Sequence, residues 1–257
     1  MELRVNHLSL TLGSRTILRD VSFTLSAHDW LMVIGPNGAG KSMLLSCVSG
    51  TRACQGSVLL DGEAVADMPP SRRARRIGVL SQQNTFAYPF TVEEVVRMGR
   101  YAHTSGLGHR DPALPQALEL ALAQVGLTEQ RHQSVLTLSG GERQRMMLAQ
   151  VLCQDPDILL LDEMQNHLDF QYQQSLFALM DAWRQQPGHA IVSVVHDLPL
   201  ARHFATSALL MQEGSGQFGL PEQIMTPQNL QAAWQMDVTA WLKTLYRGWE
   251  DKTDERV

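Results

Sequence analysis

The chain reads Gly35-Pro36-Asn37-Gly38-Ala39-Gly40-Lys41-Ser42 directly after a short apolar run, residues 30–34. This stretch matches the pattern G-x-x-x-x-G-K-[ST], and residues typical of a helix follow it. The glycines let the backbone curl so that several N–H groups face one anion at the start of a helix. Lys41 can reach the β- and γ-phosphates of a nucleotide, and the Ser42 hydroxyl can bind Mg²⁺. The stretch therefore predicts a strand, a phosphate-binding loop and a helix, in that order.

A second apolar run, residues 158–161, ends in two carboxylates, Asp162 and Glu163. At the carboxyl end of a parallel strand, Asp162 can hold Mg²⁺ beside the phosphate loop. Glu163 would then face an attacking water as its general base. An acidic pair after a strand is a weak signal alone, because such pairs often cap helices. Together with the phosphate loop, the pair predicts a hydrolytic site.

A third stretch, Leu138-Ser139-Gly140-Gly141-Glu142, has the pattern of a helix start. Ser139 and Glu142 have the spacing of a capping box. Two glycines at a helix start cost backbone entropy, so capping alone does not explain them. Bare N–H groups at such a helix end can approach a phosphate closely. Two phosphate-binding helix ends with one lysine-bearing loop predict a site shared between two molecules.

His196 follows the apolar run 191–195 and precedes Asp197. A single histidine after a strand is usually structural. Here it follows a strand whose neighbours end in the phosphate loop and in the acidic pair. We therefore expect His196 to take part in the chemistry.

Hydrophobic periodicity predicts an α/β fold for the whole chain. We expect a hairpin at residues 3–12 and 17–25, and further strands at 30–34, 57–60, 77–80, 158–161, 191–195, 208–211 and 217–220. Helices are expected after Lys41 and over residues 92–99, 112–125, 140–152 and 170–183, with a short one after Thr226. Asp111 is the predicted N-cap of the helix at residues 112–125. Residues 247–257 are expected to be solvated or frayed.

Composition excludes some classes of function. The 257 residues carry a formal net charge of −5, which argues against broad, non-specific binding of nucleic acid. No stretch of 18 uninterrupted apolar residues occurs, so we expect no membrane-spanning helix. If the chain acts at a membrane, something other than its own hydrophobicity must hold it there.

Taken in order, these motifs resemble the ATP-binding domain of ABC transporters, and the resemblance covers roughly residues 3–230. The order is the phosphate loop, Gln82, the Ser139 stretch, Asp162-Glu163, Asn166-His167-Leu168-Asp169 and His196. The resemblance implies a P-loop NTPase core with a parallel sheet, an N-terminal antiparallel β subdomain and an inserted α-helical subdomain. We therefore expect an ABC ATPase domain over residues 1–235, with the helical insertion at about 84–155, and a C-terminal tail over 236–257.

The resemblance also implies roles for particular residues. Gln82 would sense Mg²⁺ and the attacking water near the transmembrane contact. Ser139 and Gly141 would close over the γ-phosphate of an ATP bound to the partner subunit, and Asp169 would belong to a loop that crosses the interface. His196 would contact the γ-phosphate. Two copies would then sandwich two ATP molecules, and hydrolysis would move the attached membrane helices.

Two positions depart from the family pattern. The family usually stacks an aromatic residue on adenine where this chain has Leu12, so adenine is expected to rest on an aliphatic surface. The usual Pro-Thr after the catalytic glutamate is Met164-Gln165 here, which changes the rigidity of that segment. We expect activity to survive, because neither change removes a proton carrier or a metal ligand.

The kind of transporter is indicated by a softer signal. Residues 90–96 and 98–101 resemble importers of the iron–siderophore, haem and cobalamin group. Ferric siderophore is the first expectation, followed by haem, cobalamin and molybdate. The implied partners are integral membrane permease subunits and, indirectly, a periplasmic or surface substrate-binding protein. The chain would sit peripherally on the cytoplasmic side of the bacterial inner membrane.

Three alternatives remain from sequence. An ABC exporter is the nearest, although exporters more often fuse this domain to membrane helices. A non-transport ABC ATPase acting on ribosomes or DNA usually carries two cassettes or a long coiled-coil insertion. A small-molecule kinase with a phosphate loop would lack the Ser139 stretch and the paired histidine.

Overall fold

Two β-sheets and the helices around them make up residues 1–81, 86–104, 111–164 and 169–250, the part of the chain that this computed structural model describes. The strands are β1 (Glu2–Leu12), β2 (Arg15–Ser26), β3 (Trp30–Ile34), β4 (Gln55–Leu60), β5 (Glu63–Ala64), β6 (Ile77–Leu80), β7 (Ile158–Asp162), β8 (Ala190–Val194), β9 (Ser207–Gln212) and β10 (Ser215–Gly219). The helices are α1 (Lys41–Val48), α2 (Pro70–Arg76), α3 (Val92–Met98), α4 (Leu114–Gln124), α5 (Gly140–Gln154), α6 (Phe170–Arg184), α7 (Leu198–Phe204), α8 (Pro221–Ile224), α9 (Pro227–Trp234) and α10 (Val238–Glu250).

The central sheet has the strand order β10-β9-β3-β8-β7-β6. Its pairs β9–β3, β3–β8, β8–β7 and β7–β6 are parallel, and β10 joins antiparallel. Val194 lies opposite both Val33 and Asp162. The carboxyl ends of β3, β7 and β8 therefore meet at one edge of the sheet, as the motifs require.

Strands β3, β7 and β8 of this sheet are buried on both faces, which explains their continuous apolar runs in the sequence. On β3, Trp30, Met32 and Ile34 face one hydrophobic cluster, whereas Leu31 and Val33 face the other. This alternation is the two-residue period of a strand. The strands that carry the functional residues are thus held from both sides.

An antiparallel sheet with the order β2-β1-β4-β5 forms the N-terminal part of the fold. The predicted hairpin is confirmed, with Gly13 and Ser14 between β1 and β2. Its apolar side joins the cluster beneath α1. This sheet therefore forms a wall next to the phosphate loop.

Helices α3, α4 and α5 form the predicted helical insertion between β6 and β7. A capping box starts α3 at Thr91, as expected, because the Thr91 hydroxyl accepts from the Glu94 N–H and the Glu94 carboxylate accepts from the Thr91 N–H. Arg131 lies in the loop after α4 and donates to Glu93 of α3 at 2.9 Å, so this ion pair ties that loop to α3. The predicted α/β fold is confirmed, with its N-terminal antiparallel sheet and its helices inserted between β6 and β7.

The predicted capping role of Asp111 is wrong. Helix α4 begins at Leu114 with Ala113 as its N-cap. The Asp111 carboxylate accepts from the Ala113 N–H at 3.0 Å through Oδ1 and from Arg100 Nε at 2.6 Å through Oδ2, and the Arg100 and Asp111 side chains are buried. The helix therefore starts two residues later than a cap at Asp111 would place it, while the buried arginine receives the paired carboxylate that it needs.

The C-terminal part contains a helix that the sequence analysis did not predict. Helix α10 starts after Asp237, whose carboxylate accepts from the Ala240 N–H at 2.9 Å. Val238 is buried and Leu242 packs on the core, so α10 is anchored along one face. The domain division at residue 235 stays a prediction, and residues 251–257 lie outside the described part. Among the helices described, none is long and apolar enough to cross a membrane.

Candidate nucleotide-binding and hydrolysis site

The phosphate loop joins β3 to α1 and needs glycine at two positions. Gly35 has a φ of 145°, and a Cβ there would lie 2.1 Å from the Met211 carbonyl oxygen of β9. Gly40 caps α1 with a φ of 100°, in the left-handed region. A side chain at residue 35 would collide with backbone that cannot give way. The loop's shape is therefore set by its contact with the sheet.

Lys41 lies buried under this loop, with 6% of its surface exposed. Its Nζ donates to the carbonyl oxygens of Gly35 at 2.7 Å and Pro36 at 2.9 Å. Burial lowers the pKa of Lys41, while the nearby Glu163 and Asp162 carboxylates oppose that shift. An ammonium in such a site gains from a nearby anion, because a phosphate would offset its desolvation.

Asp162 ends β7 beside Ser42. Its Oδ1 is buried and has no hydrogen-bond partner among the described residues. Burial raises the pKa of Asp162, a hydrogen bond with Ser42 opposes the rise, and the Glu163 carboxylate adds to it. A buried, unpartnered carboxylate oxygen next to a hydroxyl fits a hard cation that takes oxygen ligands.

No cluster of three or more histidine, cysteine, aspartate or glutamate side chains within the described ranges could form a metal cage. Mg²⁺ does not require one, because it usually binds through one or two carboxylates together with phosphates and waters. The residues present therefore fit Mg²⁺ bound together with a nucleotide. Gln82, the third predicted ligand, lies outside the described residues.

Glu163 and His196 come together at the same edge of the sheet. His196 Nε2 and Glu163 Oε1 are hydrogen-bonded at 2.6 Å. Glu163 has a φ of 55°, which is uncommon for a residue with a side chain, and its N–H donates to the Val194 carbonyl at 3.2 Å. Because Glu163 is mostly buried, this turn fixes where its carboxylate points.

The helix start at Ser139 has the expected capping box. The Ser139 hydroxyl accepts from the Glu142 N–H at 3.3 Å, and the Ser139 N–H donates to the Glu142 carboxylate at 2.8 Å. Ser139 and Gly140 are exposed. Among the described residues, no hydrogen bond or ion pair joins this helix end to the phosphate loop of the same chain. The fold leaves the helix end open at the surface.

Comparison with known proteins identifies the family. A family model described as ABC transporter matches residues 18–166. The chain belongs to the ABC transporter family. It is 40% identical over 243 residues to the hemin import ATP-binding protein HmuV of Pseudomonas fluorescens, which covers 92% of this chain and 93% of HmuV.

Two further ABC transporter proteins are similar to this chain. The uncharacterized ATP-binding protein YvrA of Bacillus subtilis is 38% identical over 231 residues, covering 89% of this chain and 52% of YvrA, so this chain spans about half of YvrA. A solved structure described as an inward-facing, metal-chelate type ABC transporter matches with a TM-score of 0.79 and 26% identity, covering 91% of this chain and 88% of that one. The predicted ABC ATPase fold and ATP-hydrolysing transport subunit are confirmed at the level of the family.

Two residues of α5 that the sequence analysis did not single out contact the segment after β7 and helix α6. Gln144 Nε2 donates to the Met164 carbonyl, directly after Glu163. The Arg145 guanidinium lies 4.2 Å from the centre of the Tyr172 ring on α6. No spacing in the sequence reveals these contacts, because they depend on how α5 packs.

Asp169, a predicted interface residue, caps α6, since its carboxylate accepts from the Tyr172 N–H at 2.9 Å. The predicted Asn166-His167-Leu168 segment lies outside the described residues.

A cleft of about 640 Å³ opens beside the phosphate loop. Its walls include Asn37 and Gly38 on one side and Arg15, Ile17 and Trp234 on the other. Leu12 does not line this cleft among its described walls. Ile17 supplies part of the expected aliphatic surface, but Trp234 adds an aromatic ring. Trp234 carries no recognisable motif, because it lies on α9, far along the chain from the loop.

Proposed function

We propose that this ABC transporter ATPase hydrolyses ATP at a site shared between two copies and thereby powers import of a metal chelate of the haem and ferric-siderophore type. One observation carries the proposal. One edge of the sheet brings together five of the predicted site residues: Lys41, Ser42, Asp162, Glu163 and His196. The exposed helix end at Ser139, by contrast, has no described hydrogen bond or ion pair to the phosphate loop of its own chain. The first group supplies half of a site, and the helix end supplies the other half to a neighbour.

The residues of the first half have distinct roles toward ATP. Backbone N–H groups of residues 37–42 cradle the phosphates, and Lys41 neutralises charge on the β- and γ-phosphates. Ser42 and Asp162 would hold Mg²⁺ together with Gln82, and the ion would offset the charge that develops on the phosphates.

Glu163 accepts the proton of the attacking water. The water oxygen bonds to the γ-phosphorus as the bond to the β–γ bridging oxygen breaks, which yields ADP and phosphate. His196 holds the carboxylate through the 2.6 Å hydrogen bond and lies near the place of the γ-phosphate. The left-handed backbone at Glu163 supports this assignment, because strained conformations are concentrated at functional sites.

The second half of the site comes from the other copy. Ser139, Gly140 and Gly141 present a helix N-terminus that suits the γ-phosphate of the partner's ATP. Asp169 lies at the start of α6, after the segment expected to cross the interface. The Gln144 contact with the Met164 carbonyl supports coupling between the two halves, because it joins the helix of Ser139 to the catalytic strand.

The adenine of ATP is proposed to stack against Trp234 at the edge of the cleft. Replacing Trp234 with alanine should weaken ATP binding by about tenfold, since one base–aromatic stack contributes about 1–3 kcal/mol. Titration calorimetry with ATP and with inorganic tripolyphosphate measures the effect, because only ATP carries the base. The variants Trp234→Phe and Leu12→Ala serve as matched controls and should bind ATP nearly normally. Equal losses for ATP and tripolyphosphate would contradict the stacking.

Import of a haem-type chelate is supported by relatives and by one surface. HmuV of Pseudomonas fluorescens is named as a hemin import protein, and it resembles this chain over nearly its whole length. Tyr88, Phe90 and Tyr101 are exposed around α3, at 68%, 37% and 65%. The Tyr88 and Phe90 rings lie 6.2 Å apart before α3, and Tyr101 follows the helix. Exposed aromatic side chains of this kind suit a contact with permease subunits on the cytoplasmic side of the membrane. A periplasmic or surface binding protein would deliver the chelate.

Reconstitution with candidate permease and binding-protein partners tests the cargo. Proteoliposomes with enclosed ATPase subunits should take up haem only with ATP and the binding protein, and parallel assays use a ferric siderophore and cobalamin. Vesicles with the Glu163→Gln variant serve as the control and should take up none. Uptake of cobalamin alone would contradict the haem and siderophore assignment, and ATP-driven movement in the opposite direction would favour an exporter.

A further inference from the structure

Helix α10 carries an exposed apolar stripe. Val238 and Leu242 face the core, whereas Trp241, Leu245 and Tyr246 are 54%, 50% and 51% exposed. Trp241 and Leu245 are one helical turn apart, so they form a continuous row. Large aromatic and aliphatic side chains that line up at the surface mark an interaction site more often than scattered ones do. We call Trp241, Leu245 and Tyr246 the α10 stripe.

A groove of about 400 Å³ runs between the stripe and the start of α7. The stripe, Met236, Leu198 and Pro199 line it. His196 and Asp197 lie at its polar end. The groove is therefore an apolar slot that ends at a residue of the hydrolytic site.

Two residues connect this groove to the nucleotide. His196 lines the groove and is hydrogen-bonded to Glu163. Trp234 lines both the groove and the cleft beside the phosphate loop. The stripe consequently lies next to the face that, in the proposed function, meets the second copy.

We propose that the second copy of this chain covers the α10 stripe, so that the dimer interface extends from the two nucleotide sites onto the C-terminal helices. This inference rests on the proposed pairing of two copies. In a two-fold dimer the same patch is buried on both chains, so one stripe contributes twice. Covering the groove would also shield His196 from solvent while ATP is bound.

The charges on α10 favour a second copy over a membrane surface. Helices that lie on anionic lipid have polar faces rich in lysine and arginine. In the sequence of this helix and its N-cap, Lys243 and Arg247 are matched in number by Asp237 and Glu250. The sequence that follows adds more acidic than basic residues, Asp251, Asp254 and Glu255 against Lys252 and Arg256. A protein surface of mixed charge suits this helix better than a lipid headgroup layer.

Sedimentation equilibrium of the Glu163→Gln variant with ATP tests the inference. Adding Trp241→Ser and Leu245→Ser should raise the dimer dissociation constant by about tenfold or more, because buried tryptophans dominate interface energies. The matched control is Leu120→Ser, which removes an equally exposed leucine from α4 and should change nothing. Thermal melting and ATP affinity of the monomer should be unchanged in all of these variants. If the double variant does not fold, the single change Leu245→Lys replaces it.

The outcomes separate this inference from the proposed function. If the Glu163→Gln parent dimerises with ATP and the stripe variant has the same dimer dissociation constant, the role of the stripe is overturned and the shared site stands. Failure of the parent Glu163→Gln protein to dimerise with ATP would overturn the shared site and the stripe together. Loss of binding to vesicles of phosphatidylethanolamine and phosphatidylglycerol, with dimerisation intact, would assign the stripe to the membrane and so overturn the inference.

Discussion

Glu163→Gln should abolish ATP turnover while ATP binding persists. The amide keeps the shape of the side chain but cannot accept a proton, so the loss should be about 100- to 10,000-fold. Because ATP stays bound and is not hydrolysed, the variant should also accumulate as a closed dimer. Phosphate release measures the first effect, and size-exclusion chromatography with ATP measures the second.

The control for this substitution is Glu222→Gln. Glu222 is exposed at the start of α8 and does not line the cleft beside the phosphate loop, so the same chemical change there should leave turnover within about twofold. Normal hydrolysis by the Glu163→Gln protein would show that another group takes the proton. A variant that neither hydrolyses nor binds ATP would point to a damaged site rather than a missing base.

Mixing two inactive chains should restore activity. Ser139→Arg places a bulky cation at the helix end, and Lys41→Ala removes the ammonium beneath the phosphate loop. In a mixed dimer, one of the two sites combines an intact loop with an intact helix end. We expect phosphate release from the mixture at up to about a quarter of the wild-type rate, if half of the dimers are mixed and each has one working site.

Each chain alone provides the baseline. Lys41→Ala should lose at least about tenfold in ATP affinity, because a charge-assisted contact with phosphate contributes roughly 1.5–3 kcal/mol. Ser139→Arg should bind ATP as a monomer but form no ATP-dependent dimer. Tagged chains that co-purify with ATP yet release no phosphate would argue against shared sites.

The sequence predicts the local parts of this site well, because each part uses chemistry confined to a few neighbouring residues. Gly35, Gly40 and Lys41 are recognisable since a phosphate loop needs glycines and a lysine at fixed spacing. The capping boxes at Thr91 and Ser139 are equally local, and both formed as expected. The strand ends at Glu163 and His196 follow from buried runs in a parallel sheet.

Contacts between distant segments could not be predicted in this way. The bond between His196 and Glu163 depends on the register of β7 against β8, which no short pattern encodes. Trp234 reaches the nucleotide cleft only through the packing of α9. Asp111 looked like a helix cap, but the buried Arg100 required its carboxylate. Helix α10 was missed although Val238, Trp241, Leu242 and Leu245 recur at helical spacing, because the charged residues that follow indicated a solvated tail.

The contact between the phosphate loop and β9 has a consequence for genetics. Since a Cβ at residue 35 would stand 2.1 Å from the Met211 carbonyl oxygen, substitution there would force apart two neighbouring segments of the sheet. Substitutions of Gly35 should therefore lower the amount of protein in the cell, whereas substitutions of Glu163 should leave a normal amount of protein that does not hydrolyse ATP. A transport defect that maps to residue 35 is accordingly a lesion of folding, to be assessed by immunoblot before any assay of catalysis.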